Sequence, residues 1–178
     1  MNFSNPNITI ATLQNVEAIT ALLNSAYRGE TSKQGWTHEA DLIAGEVRTS
    51  KESLQKVMLQ PKSVILKFTD ENNVIVGCVN LQQHDAKIYL GMLSVSPLLQ
   101  NAGIGKQLLA AADEYALQQN CSTIYMTVIT HRTELISWYK RHGYVDTGKT
   151  EPFIENEETG KQLTKLEFMV LEKNISSE

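Results

Sequence analysis

Residues Leu93-Ser94-Val95-Ser96-Pro97-Leu98-Leu99-Gln100-Asn101-Ala102-Gly103-Ile104-Gly105-Lys106 decide how this chain is read. An apolar, strand-like run breaks at Pro97. A short loop follows with two glycines spaced G-x-G, and Gln107-Leu108-Leu109-Ala110-Ala111-Ala112 then reads as a strong helix. Strand, glycine loop and helix start together make a cradle for an anion. The first backbone N–H groups of a helix have no intrahelical partner, and the helix dipole adds partial positive charge there. Glycine lets a bulky phosphate approach the backbone.

Three phosphate-binding motifs compete for this loop. A P-loop requires G-x-x-x-x-G-K-S/T. Gly105-Lys106 supplies its G-K, but Gln100 stands where the first glycine belongs and Gln107 where the magnesium-binding hydroxyl belongs. A dinucleotide fingerprint requires G-x-G-x-x-G, and Leu108 blocks its third glycine. What remains is Q-x-x-G-x-G, from Gln100 to Gly105. This stretch resembles the acyl-CoA pyrophosphate loop of the GNAT superfamily of acetyl-CoA-dependent N-acetyltransferases, whose pattern is R/Q-x-x-G-x-G/A. The preceding L-S-V-S-P is similar to that family's L-x-V-x-P strand end, and Lys106-Gln107-Leu108-Leu109 is similar to its helix start.

A second segment carries the same resemblance. His131-Arg132-Thr133-Glu134-Leu135-Ile136-Ser137-Trp138-Tyr139-Lys140-Arg141-His142-Gly143-Tyr144 is similar to the family's N-x-x-A-x-x-x-Y-x-x-x-G-F/Y at Tyr139, Gly143 and Tyr144. It departs from it at Arg132, where the family has Asn, and at Leu135, where it has Ala. The family's Asn contacts the pantetheine arm; an Arg could instead reach a cofactor phosphate or an acidic substrate.

Composition sets the outer bounds. The 178 residues suit one domain with a sizeable core. A net charge of −4 supplies no global field for nucleic acid or membrane. Attraction for an anionic cofactor is therefore local, from loop amides and from Lys106, Arg132 or Arg141. Cys78 and Cys121 form no C-x-x-C pair, so they read as buried free thiols, with no metal site implied. Met1-Asn2-Phe3-Ser4-Asn5-Pro6 shows no basic region followed by an apolar stretch, and no apolar run is long enough to span a bilayer. A cytoplasmic protein is the expectation.

Periodicity places strands at 8–11, 63–69, 74–82, 87–95, 122–129, 144–148 and 163–171, and helices at 15–27, 37–44, 105–119 and 134–142. Thr49 with Glu52 reads as a capping box opening a further helix that ends before Pro61. Short turns make the 63–95 meander antiparallel. The intervening helix makes 122–129 parallel to 87–95. Residues 151–161 read as a polar loop. The resemblance implies one α/β (α+β in some schemes) domain over residues 1–173, a mixed twisted sheet of about seven strands flanked by helices, and a frayed tail at 174–178. It also implies a splay between the fourth and fifth strands.

The resemblance assigns roles as well. Tyr139 takes the place of the general acid, although on periodicity alone it is a core aromatic beside Leu135 and Ile136. Leu93, Ser94, Val95, Gln100, Asn101, Ala102, Gly103, Ile104, Gly105, Lys106 and Arg132 would hold acetyl-CoA, with the main-chain N–H of Leu93 or Val95 polarising the thioester carbonyl at a bulge. Tyr27, Trp36, Glu39 and Tyr89 would face the acceptor, a primary amine of a small molecule or peptide. The position of a catalytic glutamate found in several members falls on Tyr89, a poor base at pH 7. The remaining candidates are Glu39, His84, Asp85, His131, Glu151, Glu155 or a chain of water. The aromatic residues and the acidic stretch at 151–158 suggest a rim suited to a cationic amine. The alternative is a module that binds acyl-CoA without turnover. GNAT enzymes often dimerise, so the resemblance admits a homodimer, while the sequence itself does not give the oligomeric state.

Overall fold

The computed structural model describes residues 1–45, 47–156 and 159–175. Strand β1 (Ile8–Ile10) leads through a 3-10 turn into helix α1 (Val16–Tyr27), followed by a one-turn helix α2 (Gly29–Ser32) and a two-residue strand β2 (Ile43–Ala44). Helix α3 (Lys51–Leu59) precedes the meander β3 (Ser63–Thr69), β4 (Ile75–His84) and β5 (Lys87–Val95). Helix α4 (Ile104–Gln118), strand β6 (Thr123–Ile129), helix α5 (Thr133–Arg141) and strands β7 (Val145–Pro152), β8 (Lys161–Gln162) and β9 (Glu167–Asn174) complete the order.

Seven strands form one mixed sheet in the order β1-β3-β4-β5-β6-β9-β7, while β2 and β8 pair apart from it. Only β5 and β6 run parallel, because α4 carries the chain back across the sheet between them. α1 buries Val16, Ile19, Leu22 and Leu23, one stripe at helical spacing, with Leu54 of α3 and Ile65 and Cys78 of the sheet. α4 buries Leu108, Leu109, Ala112, Tyr115 and Ala116 in a second cluster with Leu66, Val79, Leu81, Ile88 and Ile124. α5 adds Ile136 and Tyr139 to that second cluster.

Two irregularities of β5 open the middle of the sheet. Pairing with β6 covers only Lys87, Ile88 and Tyr89 against Thr123, Ile124 and Tyr125. Beyond Tyr89 the two strands part, which is the expected splay. On its other edge β5 bulges. Gly91 faces Asn80 and Ser94 faces Cys78, so Met92 and Leu93 together stand opposite Val79. Met92 turns into the left-handed region at φ 55°, one residue ahead of the expected bulge segment.

Several local expectations are corrected. Residues 37–44 are not a helix: turns lead to β2, whose Ile43 and Ala44 pair with Gln162 and Lys161. α3 is capped by Ser50, whose hydroxyl accepts from the Ser53 amide, and Thr49 instead donates to the Ser50 carbonyl. The closing strands are shifted. β7 runs to Pro152, into the expected loop, and β9 begins only at Glu167. β9 also takes Asn174 into the sheet, and the Ile175 amide donates to the Ser122 carbonyl at 2.7 Å. The rest of the expected tail, 176–178, lies outside the described residues, as do Glu157 and Glu158 of the acidic stretch.

Candidate active site

Helix α4 starts at Gly103, which sits at φ 78° with no side-chain cap. The first amide to bond within the helix is that of Gln107, to the Gly103 carbonyl at 3.1 Å. The amides of Ile104, Gly105 and Lys106 precede it, so they belong to the first turn, where a helix has no acceptor of its own for its N–H groups. Gly105 faces the side of α5. A Cβ there would lie 3.3 Å from the Trp138 ring, so the missing side chain lets α4 and α5 approach at this end.

A cleft of about 690 Å³ opens at this helix start. Gln100, Asn101, Gly103, Ile104, Gly105 and Lys106 line one end, and Leu93 and Val95 of β5 line its floor. Trp138, Tyr139 and Arg132 of the α5 segment close the other wall. A second cavity of about 150 Å³ continues between the parted strands, against residues 89–93 of β5 and 126–129 of β6. Tyr27, Leu93, Arg132, Leu135 and Tyr139 border both, so they form the passage between them.

Tyr139 is 5% exposed, and burial pushes its phenol well above the ordinary value, so it is protonated at neutral pH. It is held edge-on between Trp138 (5.1 Å) and Tyr144 (5.7 Å). The end of α5 fixes that aromatic set. The Tyr144 amide bonds to the Tyr139 carbonyl and the Gly143 amide to the Lys140 carbonyl, with Gly143 at φ 92°. This is a glycine-dependent helix stop. Tyr27 donates its hydroxyl to the Leu93 carbonyl at 2.5 Å, tying α1 to the bulge.

The expected site residues divide. Ser94 is buried with its hydroxyl on the Met92 carbonyl, and Ala102 is exposed; neither lines a cavity. Gln100 uses its side chain as a tie, accepting from the Trp36 amide (2.8 Å) and donating to Thr37 Oγ1 (2.8 Å). A Cβ on Gly35 would fall 2.5 Å from the Gln100 amide, so a side chain there would push that amide off these partners. Trp36 lines the larger cleft and meets Trp138 edge-on at 6.3 Å. Tyr89 and Glu39 line the smaller cavity.

Glu39 carries the feature that sequence reasoning missed. Its Oε2 lies 3.3 Å from Arg28 Nη2, and its Oε1 lies 3.4 Å from Arg132 Nη1. Arg28 also donates to the Thr159 carbonyl, and Arg132 to the Thr37 carbonyl. Desolvation lowers the Arg28 value from its usual range, while the Glu39 charge opposes that shift. Among the other candidate bases, Asp85 sits in a turn at φ 51°, and His84, His131, Glu151 and Glu155 are exposed and line neither cavity. Glu155 accepts from the Gln162 amide.

A family model described as the acetyltransferase (GNAT) family matches residues 18–144. The chain belongs to this family. As a GNAT acetyltransferase it is an acyltransferase, and acetyl-CoA is the acyl donor the family generally uses. Its fold is similar to a ribosomal-protein-alanine N-acetyltransferase from Brucella melitensis, with TM-score 0.70 and 17% identity. That match covers 94% of this chain and 98% of the other. It is also similar to a GNAT-family acetyltransferase from Staphylococcus aureus (TM-score 0.68, 18% identity, 96% and 99% covered). A third likeness is to a chimeric spermidine N-acetyltransferase from Vibrio cholerae (TM-score 0.66, 14% identity, 94% of each chain covered). Among the described residues of this GNAT chain, no cluster of His, Cys, Asp or Glu could hold a metal ion, and no helix is long and apolar enough to cross a membrane.

Proposed function

We propose that the protein moves an acetyl group from acetyl-CoA to a primary amine of a small molecule or peptide by direct attack, with Tyr139 as general acid. The observation that carries this reading is the position of Tyr139, which borders both the cleft at the α4 start and the smaller cavity behind it. The uncapped first turn of α4 and the left-handed Gly103 fit a diphosphate, with Gln100 holding the neighbouring loop in place. Asn101, Gly105 and Lys106 would complete that hold, and Leu93 and Val95 would lie along the thioester arm.

Acetyl-CoA supplies the acetyl group as a thioester whose carbonyl carbon accepts an amine. The backbone N–H of Leu93 or Val95 would steady the charge that develops on the carbonyl oxygen. As the N–C bond forms and the C–S bond breaks, its electron pair goes to sulfur, and Tyr139 gives that sulfur a proton. The proton leaving the amine passes to water and restores the phenol. Positioned acid catalysis of this kind contributes about 10²- to 10⁴-fold. The reading takes the chain as one cytoplasmic acetyltransferase domain over residues 1–173, able to pair as a homodimer, with no nucleic-acid partner.

Calorimetric titration with CoA, joined to a thiol-release assay over a panel of amines, tests it. Binding with turnover supports it, and no uptake of CoA overturns it. Tyr139→Phe is expected to leave CoA affinity nearly unchanged and to lower kcat about 100-fold; a fully active variant removes Tyr139 from the role. A second reading, a sensor that binds acyl-CoA without turnover, is favoured by Arg132, which stands in the family's Asn position and is engaged with Glu39 and Thr37. Binding without turnover of any amine would select it.

A further inference from the structure

The smaller cavity is walled by charge of unequal sign. Arg28, Arg48 and Arg132 gather around one carboxylate, Glu39, and both oxygens of that carboxylate are committed to Arg28 and Arg132. Arg48 lines the cavity beside Glu39 and Tyr89, yet among the described residues it has no carboxylate within ion-pair distance. Its guanidinium lies 5.7 Å from the centre of the Tyr27 ring, and Tyr27 borders the passage to the thioester side. Contact with an aromatic face uses none of the guanidinium N–H donors.

Arg48 is also held where it stands. Asn24, on α1, accepts from the backbone amides of Arg48 (2.6 Å) and Thr49 (3.0 Å) and donates to the Thr49 carbonyl (3.1 Å). One buried-side asparagine thus fixes the backbone from which the guanidinium projects. The result is a half-buried, positioned cation with no ion-pair partner among the described residues, beside Tyr139 in the smaller cavity.

Resting on the acyl-transfer reading above, we propose that the acceptor is an amine that also carries a carboxylate, and that Arg48 is the specificity residue that binds it. A guanidinium presents paired N–H donors that match the two oxygens of a carboxylate. A polyamine would instead bring positive charge into a cavity that already holds an excess of it. The cavity of about 150 Å³ suits a small group. A free amino acid and the acidic first residue of a peptide share this chemistry.

The test compares matched acceptors: free amino acids, the same amino acids with the carboxylate converted to a carboxamide, peptides beginning with an acidic residue, and spermidine. Each is assayed by thiol release with the wild-type chain and with Arg48→Gln and Arg48→Lys. A carboxylate-bearing amine is expected as the best acceptor, at least tenfold above its carboxamide in kcat/KM. Arg48→Gln is expected to raise KM for it about ten- to a hundredfold with a smaller change in kcat, and Arg48→Lys to recover part of that loss. The carboxamide's KM should not respond to either variant. Activity on free amino acids against activity on acidic peptides separates the two sources.

Spermidine or a carboxamide used as well as the acid overturns the proposal, as does an unchanged KM in Arg48→Gln. CoA titration of all three proteins separates this from failure of the underlying reading. CoA uptake with turnover of other amines but of no carboxylate-bearing amine overturns the acceptor proposal alone, and CoA uptake with no turnover of any amine overturns both. Absence of CoA uptake in the wild type overturns the acyl-transfer reading beneath it. Thermal melting of the variants confirms that a raised KM is not a loss of fold.

Discussion

The two cavities on either side of Tyr139 are made of different materials. One end of the cleft at the α4 start is built from backbone: a left-handed Gly103 and the first-turn amides that follow it. The smaller cavity draws its charge and polarity from side chains: Glu39, Arg48, Arg132, Tyr27 and Tyr89. A backbone site keeps its chemistry through many substitutions so long as the chain path survives. A side-chain site changes its chemistry with each residue. Substitution is therefore better tolerated at the backbone-built end than in the cavity built from side chains.

The largest break in that contrast should come from Glu39. Its side chain and that of Arg28 are about 10% and 1% exposed. Glu39→Ala leaves two guanidinium groups without their anion, and loss of one member of a buried pair costs about 3–5 kcal/mol. Chemical denaturation is expected to show a loss of that size, and a loss under 1 kcal/mol would mean that water already screens the group.

The contrast is sharpened at Lys106, where one position offers both materials. Its N–H lies in the first turn of α4, ahead of the first intrahelical bond at Gln107. Lys106→Pro removes that N–H at a helix position that tolerates proline. A hydrogen bond to a charged group is worth about 1.5–3 kcal/mol, so CoA affinity should fall about ten- to a hundredfold. Lys106→Ala removes only an exposed charge, worth about 0–1 kcal/mol, and should weaken binding by no more than about fivefold. Calorimetry that found the reverse order would place the grip in the side chain.

At the boundary, burial raises the phenols of Tyr139 and Tyr144 above their unfolded value. Both states hold these protons below about pH 10, so the stability they lend is fully present there. Above it the unfolded chain releases its protons first. Stability should then fall by about 1.4 kcal/mol per pH unit for each buried phenol. Denaturation curves between pH 9 and 11 check this, and Tyr139→Phe should reduce the slope.

The same division explains what the sequence disclosed. The strand end, glycine loop and helix start were legible because every part of them lies within residues 93–106. The stop of α5 was legible because Gly143 must take a positive φ. The charged network beside the smaller cavity was hidden, because Glu39 meets Arg132 across 93 positions and Arg28 meets Thr159 across 131. Helical patterning at 37–44 misled for the same reason. Propensity there is worth tenths of a kcal/mol per residue. The segment is instead held by the Glu39 ion pairs and by β2 pairing with β8. At the α3 cap, Thr49 and Ser50 are adjacent hydroxyls, and only the ladder of contacts shows that Ser50 reaches Ser53.

The parting of β5 from β6 has a mechanical side. Four strands stand on one flank of the gap and three on the other, joined directly through only three residue pairs at one end. Such a seam behaves like a notch, the place where a loaded sheet first yields. A molecule lodged in the notch touches both flanks and resists their separation. On the acyl-transfer reading, CoA at a hundred times its Kd should add about 2.7 kcal/mol against unfolding by mass action, as a temporary strut across the seam.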